Sequence, residues 1–581
     1  MIDRRLTYIR HLENFLLKQF PDWSGNLVLE QPPASQATAD FDLAMPCFVL
    51  AKSRKMSPPA VAQLVVDTLL TNKSELGIER AEVIKGFINI RFGADVLGAE
   101  ISRRSLEPLK DSRSAWKQEV VTVDYSSPNI AKPFGIGHLR STNIGAALCR
   151  IMGALGAKVI RINHLGDWGT QFGKMITAYK NFGSAEFVRG DPVNNLYKLY
   201  VEFHEKEKDN PGLIDEAREW FVRLEKGDEE ALELWKWFRD VSYHEFKRIY
   251  DKLGVDFDYV TGESFYNELM EKTAASLKAK QLLKESEGAE IVDLEAFGMP
   301  PCLIKKSDGS TLYATRDLAT AEYRAKTFKP TRLVYVVGSE QSLHFKQVFK
   351  VLEIMGHEWA RNCVHVGFGL IKFPEGKMST RKGNIILLES VLQQAAQHAS
   401  EIIEEKEKNK PAERKLSDVE KESVAEMVGT GAVIFFDLHA KRLKDIMFDW
   451  KTILNFEGDS GPYLQYSTVR LSALLEKAKD AGLNVEQGSQ PLLKTAEERE
   501  LARFLLRFPS VVEAAAREYE PSVISHELLD LAACFNRFYM NVPVLKGEEE
   551  DKPGRITLIK MTRAVLVQGL ELLGIKCPSR M

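Results

Sequence analysis

The stretch at residues 128–140 constrains the fold most, because it joins a buried strand to a helix. It reads PNIAKPFGIGHLR and follows Val120–Asp124, a β-branched run typical of a buried strand. Apolar residues at helical spacing follow over residues 139–155. A glycine-containing turn of this kind directs backbone N–H groups and a helix N-terminus at one point, which suits an anion such as a phosphate. By itself, the stretch is equally consistent with a solvated turn.

Length and composition indicate a large multidomain protein. The chain has 581 residues, 44% of them hydrophobic, which suggests about three or four domains. No apolar run approaches the ~18 residues of a membrane helix, so no transmembrane helix is expected, and the N-terminus lacks the apolar core of a signal peptide. The six cysteines include no CxxC pair, which argues against a disulfide framework or a Cys-based zinc site and fits a reducing cytoplasm, so we expect a cytoplasmic protein. The formal net charge of −3 does not indicate a polyanion partner, although it averages over the surface.

Changes in pattern along the chain predict an α/β protein with three domains. We expect a central Rossmann-like parallel-sheet domain with a helical insertion, an N-terminal α+β domain and a C-terminal all-α bundle. The predicted boundaries are residues 1–115 for the N-terminal domain, 116–395 for the central domain with its insertion at about 176–300, and 396–581 for the bundle.

The same patterns predict individual elements. Helices are expected at residues 9–20, 60–70, 139–155, 343–355, 417–439, 461–481, 496–518, 526–540 and 555–573, with another opening at 312–319. Strands are expected at residues 82–92, 120–124, 158–163, 290–294, 333–337 and 363–371, and none after residue 396. The charge runs at residues 401–416 and 546–553 are expected to be solvated connectors. Ser417 and Glu420 have the spacing of a capping box.

A second glycine-containing loop, GKMSTRKGN at residues 376–384, follows the last predicted strand. Ligands of parallel sheets bind beyond the carboxyl ends of the strands, so this loop and the turn at 128–140 are expected on one side of the sheet. His138 on one loop and Lys377 and Lys382 on the other would then face a triphosphate. Each loop alone is equally consistent with a solvated turn.

Taken together, the two loops resemble the signature motifs of class I aminoacyl-tRNA synthetases, His-Ile-Gly-His and Lys-Met-Ser-Lys-Ser. Here they read GIGH at 135–138 and KMSTR at 377–381. Longer pieces resemble arginyl-tRNA synthetases in particular, and the resemblance runs from about residue 45 to the end of the chain. These pieces are DYSSPNIAKP at 124–133, GHLRST at 137–142, RINHLGDWGTQFG at 161–173, YATRD at 313–317 and GDSGPYLQY at 458–466.

The resemblance implies ATP, L-arginine and arginine-accepting tRNA as substrates. Arginyl-adenylate and pyrophosphate form first, and the arginyl group then passes to the terminal adenosine of the tRNA. Mg²⁺ accompanies ATP, and no tightly bound cofactor, protein-bound metal or membrane partner is implied. A monomer is expected. Catalysis would consist of positioning and charge stabilisation rather than covalent chemistry.

An arginine pocket is also argued from chemistry, since a carboxylate binds a planar guanidinium best in bidentate geometry. Such a pocket disfavours a synthetase for another amino acid. The resemblance implies that Asp317 and Asp124 face the guanidinium and that Asn129 and Gln341 hold the amino and carboxyl groups. The full implied set is Asp124, Ser127, Asn129, Glu263, Tyr313, Asp317 and Gln341. Asp317 has an alternative interpretation as a partner of Arg316 or a helix-terminus charge.

The implied ATP site depends on both signature loops. Its residues are Gly135, Gly137, His138, Lys377, Met378, Ser379 and Arg381, with His138, Lys377 and Lys132 as the catalytic group. Gly135 stands where the family has a histidine on the phosphates. Either backbone N–H groups, Lys132 and the Lys377 loop hold ATP instead, or the chain is a catalytically weak tRNA-binding paralogue. His138 and His164 lack further ligands at zinc spacing, so no metal is predicted.

The C-terminal bundle resembles the anticodon-binding domain of the family. Tyr463, Gln465, Tyr466 and Arg470 are the predicted tRNA-binding residues, because aromatic and basic side chains stack on bases and hold phosphates. Their helical spacing is equally consistent with a role in the core. The N-terminal domain resembles the unit that contacts the tRNA corner. A second KMS sequence at residues 55–57 is interpreted as structural or a minor RNA contact.

Overall fold

The computed structural model describes the chain except for residues 1, 24–26, 33–39, 105–106, 307–312, 373–385, 409, 412–414, 454, 456–457 and 487, and the side chain of Tyr313. Two compact units divide the chain. The first contains Met1–Ala115, Tyr463–Leu572 and Cys577–Met581, and the second contains Trp116–Pro462 and Leu573–Lys576. The predicted division into three domains, at residues 115/116 and 395/396, stays a prediction.

Helices and strands have the following bounds. The strands are β1 Leu43–Pro46, β2 Ile78–Ile84, β3 Phe87–Phe92, β4 Val120–Asp124, β5 Lys158–Leu165, β6 Tyr259–Gly262, β7 Leu283–Ser286, β8 Ala289–Val292, β9 Cys302–Lys305, β10 Arg332–Tyr335, β11 Cys363–His365, β12 Ile371–Lys372 and β13 Ile446–Met447. The helices are α1 Thr7–Gln19, α2 Phe48–Arg54, α3 Pro58–Thr71, α4 Lys73–Leu76, α5 Ala94–Arg104, α6 Leu139–Ala154, α7 Thr170–Phe182, α8 Ala185–Gly190, α9 Pro192–Lys206, α10 Gly212–Glu225, α11 Glu229–Leu253, α12 Asn267–Ala279, α13 Tyr313–Phe328, α14 Ser342–Ile354, α15 Leu388–Lys408, α16 Asp418–His439, α17 Trp450–Ile453, α18 Gly461–Asp480, α19 Ala496–Glu518, α20 Ser522–Asn541 and α21 Lys552–Leu573.

A five-stranded parallel sheet organises the second unit. Its order is β11-β10-β4-β5-β6, and each neighbouring pair is parallel. The chain leaves β4 towards β5 and β6 on one side and returns to β10 and β11 on the other, so the switch point lies between β4 and β10. Ligands of open α/β sheets bind beyond the strand ends at such a point. The turn at residues 128–140 begins there, and the predicted fold class is confirmed.

The first unit combines an antiparallel sheet with the last helices. The sheet has the order β1-β3-β2. Residues of α19 bond directly to it: Arg499 Nη2 donates to the carbonyl of Phe92 at 2.6 Å, and Arg503 Nε lies 2.6 Å from Asp42 Oδ1. These ion pairs and hydrogen bonds join segments that lie more than 400 residues apart in the chain.

Several element predictions need correction. The strand predicted at 82–92 is a hairpin, because Lys85 and Gly86 both have positive φ and reverse the chain in two residues. The strand predicted at 363–371 ends at His365, and its remainder forms β12, which pairs with β13 in a region where no strand was predicted. The connector predicted at 401–416 is helical up to Lys408, because Ile403 and Glu407 on its inner face are buried.

The predicted insertion at 176–300 needs a further correction. Helices α7–α11 are an insertion between β5 and β6, but β6 itself lies inside the predicted range and belongs to the main sheet. The pattern missed β6 because it is four residues long and its first three residues are partly exposed. The capping box at Ser417 is present with both of its hydrogen bonds.

Candidate active site

The turn after β4 is held in a conformation that ordinary residues rarely adopt. Ser126, Ser127 and Ala131 all have positive φ, between 48° and 70°. A non-glycine residue in this conformation lowers the stability of the folded chain by about 1–3 kcal/mol, so the conformation persists only where surrounding contacts fix it. Gly166, at the end of β5, approaches Asn129 so closely that an added Cβ would lie 1.9 Å from Asn129 Oδ1. A side chain at position 166 would therefore displace this part of the turn.

Buried hydrogen bonds offset the cost of that backbone. The Ser126 N–H donates to Ser141 Oγ at 2.9 Å, and Ser126 Oγ lies 2.8 Å from the hydroxyl of Tyr250. Ala131 N–H donates to Ser242 Oγ at 2.9 Å. The turn is thus fastened to the helix that follows it and to α11. This is the arrangement of a preorganised site rather than of a solvated loop.

His138 ends a 3-10 turn, Ile136–His138, at the start of α6. Its ring packs on Phe134 with 5.0 Å between centroids, and its Nδ1 is buried without a hydrogen-bond partner among the described residues. The pKa of His138 is lowered to about 4, chiefly by burial and also by Lys132, while an interaction with the Gly135 backbone opposes the shift. The imidazole is therefore neutral at physiological pH and can act as a hydrogen-bond donor and acceptor, not as a fixed positive charge.

Gly135 has an extended backbone with φ −80° and ψ 163°, which any residue can adopt. It forms an antiparallel bridge with Leu387, and the neighbouring Ile136 N–H donates to the carbonyl of Ile386 at 2.9 Å. The segment that leaves the second signature loop therefore pairs with the first signature turn. Lys377, Met378, Ser379 and Arg381 themselves lie outside the described residues. Lys132 lies on the turn, with Nζ 5.3 Å from the centroid of Tyr200.

Three carboxylates predicted for the arginine pocket lie beyond the ends of the sheet strands or on α13, and each has a cationic or imidazole partner. Asp124, the last residue of β4, accepts from Ser127 Oγ at 2.9 Å and pairs with Arg324 Nη1 at 2.7 Å. Arg324 is 1% exposed. Since the pair is buried and hydrogen-bonded, Asp124 already shares its carboxylate with the protein's own guanidinium.

Glu263 follows β6 and lies 3.3 Å from Arg316 Nη1. The pKa of Glu263 is raised to about 7, chiefly because the carboxyl is buried; Arg316 opposes the rise, whereas Asp167 and Asp317 contribute to it. Asp167 is buried and accepts hydrogen bonds from the N–H and hydroxyl of Ser264 at 2.9 and 2.8 Å. Asp167 thereby fixes the backbone that carries Glu263.

Asp317 lies one turn into α13, and its Oδ2 is 2.5 Å from Nε2 of His344. The described ion pairs join Arg316 to Glu263, so the alternative interpretation of Asp317 as a partner of Arg316 is not supported. Asp124, Asp317 and Asp167 all act on the pKa of His164, which burial lowers. Asp124, Asp317 and Asp167 are therefore all near enough to His164, on β5, for their charges to act on its imidazole.

Not every predicted arginine-binding residue is connected to this cluster by a described contact. Ser127 bonds to Asp124, but Asn129 and Gln341 are exposed and make no described contact with the carboxylates. Gln341 ends the turn that precedes α14, beyond β10 at the switch point. The side chain of Tyr313 lies outside the described residues.

Known families match three segments of the chain. Residues 105–450 match the model described as tRNA synthetases class I (R), catalytic domain. Residues 7–92 match the arginyl tRNA synthetase N terminal domain, and residues 464–581 match the DALR anticodon binding domain. A relative from Alkaliphilus metalliredigens, described as arginine–tRNA ligase, is 44% identical over 563 residues and 95% of both chains. Another from Bacillus anthracis, arginine–tRNA ligase 2, is 46% identical over 93% of both.

The chain belongs to the arginyl-tRNA synthetase family. Solved structures agree with this: the arginyl-tRNA synthetase of Thermus thermophilus is 26% identical with a TM-score of 0.80, and 98% of this chain and all of that chain are covered. The synthetase of Plasmodium falciparum is 25% identical with a TM-score of 0.81, and both chains are fully covered. The comparisons support arginine–tRNA ligation, and none supports the alternative of a weak paralogue.

Of the residues predicted to bind tRNA, two form a polar cluster with helix α20. Tyr463 accepts from Asn536 Nδ2 at 2.8 Å, and Arg470 donates to Asn536 Oδ1 at 3.3 Å. The Arg470 guanidinium also lies 4.8 Å from the ring centroid of Tyr539. Tyr466 is exposed and accessible to a base. Gln465 needs correction, because it is fully buried on the inner face of α18 and cannot reach RNA in this conformation.

Arg324, His344 and Asp167 contribute to the candidate site, although sequence reasoning did not include them. A signal was present for Arg324, which lies seven residues after Asp317 and therefore near the same helix face. Asp167 lies within the family-like piece at 161–173. His344 offered no local signal, since only the folding of α14 beside α13 brings it to Asp317.

Proposed function

We propose that this chain ligates L-arginine to its tRNA, through arginyl-adenylate formed from ATP, at the switch point between β4 and β10. The observation that carries the proposal is the placement of three acidic residues, Asp124 at the end of β4, Glu263 directly after β6 and Asp317 one turn into α13, in the same compact unit as a turn whose backbone is fixed by buried hydrogen bonds. Carboxylates suit the guanidinium, and backbone N–H groups suit phosphate. One site then holds arginine and ATP together.

In the first step the arginine carboxylate attacks the α-phosphate, and pyrophosphate leaves. Asp317 and Glu263 would fix the guanidinium, while Asn129 and Gln341 hold the other end of the amino acid. His138 would donate a hydrogen bond to ATP, and Lys132 and Lys377 would balance the charge that develops on the phosphates. In the second step a hydroxyl of the terminal adenosine of tRNA attacks the adenylate carbonyl, and AMP leaves. The rate enhancement comes from placement and electrostatics.

ATP is expected to arrive with Mg²⁺, which binds phosphate oxygens and waters and needs few protein ligands. Among the described residues the group suited to a metal ion is Glu548, Glu550 and Asp551, which belongs to the other compact unit and is contacted by Lys494. This group fits a structural ion pair network better than a catalytic metal site. The active-site residues would therefore act on the phosphates and not as ligands of a resident ion.

The remaining parts of the proposal concern RNA and organisation. Residues 1–115 would form a tRNA-contacting domain, residues 116–395 the catalytic domain and residues 396–581 an anticodon-binding domain. Tyr463, Tyr466 and Arg470 would contribute to RNA binding.

We also propose a cytoplasmic monomer: all six cysteines are free thiols, as expected in a reducing compartment. None of the described helices has the length and apolar character of a membrane span.

The direct test is aminoacylation of tRNA with labelled arginine and ATP. We expect charging of the arginine isoacceptor, with labelled lysine as the negative control. Absence of charging by folded protein with its own tRNA would refute the proposal. We also expect ATP–pyrophosphate exchange to stay near background until tRNA is added, and robust exchange without tRNA would contradict that part.

A pH dependence of arginine binding follows from Glu263. Its pKa is raised to about 7, so the carboxyl is mostly protonated at pH 6 and mostly charged at pH 8. A guanidinium binds the charged form, so affinity for arginine should fall about tenfold per pH unit below 7 and level off above it. Calorimetric titration with arginine from pH 6 to 8 measures this. Glu263→Gln should bind more weakly but independently of pH, and a slope unchanged in this variant would exclude Glu263.

A histidine at position 135 tests the departure from the family motif. The extended backbone of Gly135 accepts any residue, so Gly135→His requires no backbone strain. We expect the KM for ATP to fall by up to about tenfold, as for one added hydrogen bond to a charged group. Arginine KM should not change, which serves as the internal control. An unchanged ATP KM would mean that the backbone and Lys132 already supply this contact.

A further inference from the structure

The second residue of α6, Arg140, is a fully buried cation in the first turn of a helix. Arg140 is 1% exposed and Asp437 on α16 is fully buried, and the two lie 2.9 Å apart between Nε and Oδ1. A positive charge in a first helical turn opposes the helix dipole, so Arg140 does not stabilise α6 by its position. Its location needs another explanation.

The guanidinium of Arg140 makes contacts that extend beyond Asp437. Its Nη1 donates to the carbonyls of Gly369 and Lys444, both at 2.8 Å. Asn143, one turn further along α6, donates to the other oxygen of Asp437 at 3.1 Å. One planar side chain thus joins the signature helix to α16 and to two separate backbone segments, a geometry that lysine cannot reproduce.

Gly369 lies four residues before residues 373–385, and Lys444 belongs to the segment that packs directly beside Gly369. Leu370 N–H donates to Asp445 Oδ1 at 2.8 Å, and Ile371 pairs with Ile446 in the β12–β13 ladder. At Gly369 an added Cβ would lie 2.6 Å from Lys444, so the two segments are in close contact. The chain passes from here through Lys372 into residues 373–385, which contain Lys377.

The chain that leaves residues 373–385 is tied to the same turn. Leu388 N–H donates to the carbonyl of Phe134 at 3.0 Å, and Gly135 bridges Leu387. The stretch at residues 128–140 therefore contacts the chain before residue 373 through the Arg140 side chain and the chain after residue 385 through its own backbone.

We propose that Arg140, together with Asp437, is a positioning residue for adenylate formation. The pair fixes the chain entering the Lys377 segment relative to the turn at 135–138. It acts through the backbone at Gly369 and Lys444, not by contact with ATP. The inference rests on the proposed placement of ATP between the two signature motifs. It assigns a function to two buried charges that the reaction itself does not require.

The test compares Arg140→Lys with Arg104→Lys in the intact protein. Arg104 is a matched control, since Nη1 lies 2.8 Å from Asp3 Oδ2, the side chains are 2% and 1% exposed, and the pair belongs to the other compact unit. Steady-state tRNA-dependent ATP–pyrophosphate exchange gives kcat and the KM values for ATP and arginine. Thermal unfolding and tRNA binding report on the fold.

We expect Arg140→Lys to lower kcat and raise the ATP KM, with a combined loss of roughly 10- to 100-fold in kcat/KM for ATP. Arginine KM and tRNA affinity should stay within about twofold of the unsubstituted protein. Arg104→Lys should lose comparable thermal stability without a change in the ATP parameters. A loss of ATP kcat/KM that Arg104→Lys matches, or a parallel rise in arginine KM, would overturn the inference.

Asp437→Asn keeps the test decisive if Arg140→Lys does not fold. It preserves the shape and an acceptor for Arg140 Nε while removing the charge, and the same selective loss in ATP kcat/KM is expected. Unchanged ATP parameters in folded Asp437→Asn would refute the positioning role. Failure of the proposed function is distinguishable, because the unsubstituted protein would then fail to charge tRNA with arginine at all.

Discussion

Replacement of Asp317 by asparagine is expected to lower kcat/KM for arginine by about 10²- to 10³-fold. The asparagine keeps the shape of the side chain but removes the charge that a guanidinium requires, and it also weakens the contact with His344. The substrate guanidinium would then be desolvated without a charged partner. Aminoacylation kinetics at varied arginine concentration measure the loss, which should appear mainly in KM.

Glu322→Gln is the matched control for Asp317→Asn. Glu322 also lies on α13 and also contacts a histidine, with Oε1 3.0 Å from Nε2 of His357, and both pairs have similar exposure. It lines a groove with residues of α12 and is not among the candidate pocket residues. We expect its substitution to leave arginine kinetics within about twofold. Equal losses in the two variants would mean that Asp317 stabilises α13 and does not bind arginine.

Replacement of Arg324 by methionine is expected to reduce the free energy of unfolding by about 3–5 kcal/mol. The substitution leaves Asp124 buried with the hydrogen bond from Ser127 Oγ but without the cation at 2.7 Å, and a buried carboxylate that loses its ion-pair partner is strongly unfavourable. Chemical denaturation followed by circular dichroism measures the change. The double variant with Asp124→Asn should recover part of the loss, because it removes the unpaired charge.

Arg555→Met provides the comparison for Arg324→Met. Arg555 pairs with Glu498 at 2.7 Å, with both side chains almost fully buried, in the unit that lacks the parallel sheet. We expect a similar loss of stability from it. Only Arg324→Met should also raise the KM for arginine, because only Asp124 belongs to the candidate pocket. If Arg324→Met left the free energy of unfolding unchanged, the ion pair between Arg324 and Asp124 would not contribute to the stability of the fold.

Predictions from the sequence were accurate where a signal is local. The run Val120–Asp124 is a strand with the predicted bounds, because β-branched residues suit a doubly buried strand. Helix α19 also has its predicted bounds, since a capping box at Thr495 marks its start. The turn between strand and helix was identified from Gly135, Gly137 and the elements on either side. The residue roles assigned to it, and the three-domain division, remain predictions.

Predictions failed where burial or backbone geometry depends on distant residues. The sequence pattern does not predict β6, because the strand is short and forms only by pairing with β5, nearly a hundred residues earlier. Gln465 was grouped with its exposed neighbour Tyr466, although only the packing of α18 decides which of the two faces solvent. Sequence spacing gives the faces of a helix but not which face is covered.

The sequence by itself determined the family, the parallel-sheet architecture and the two signature segments, because each is encoded in short runs of residues with their own conformational preferences. Only the tertiary structure decided how the charges of the site are partnered. Arg324 pairs with Asp124, His344 with Asp317 and Arg140 with Asp437, across separations of 27 to 297 residues in the chain. Such pairings depend on desolvation and exact placement in three dimensions, and no local pattern in the chain records them.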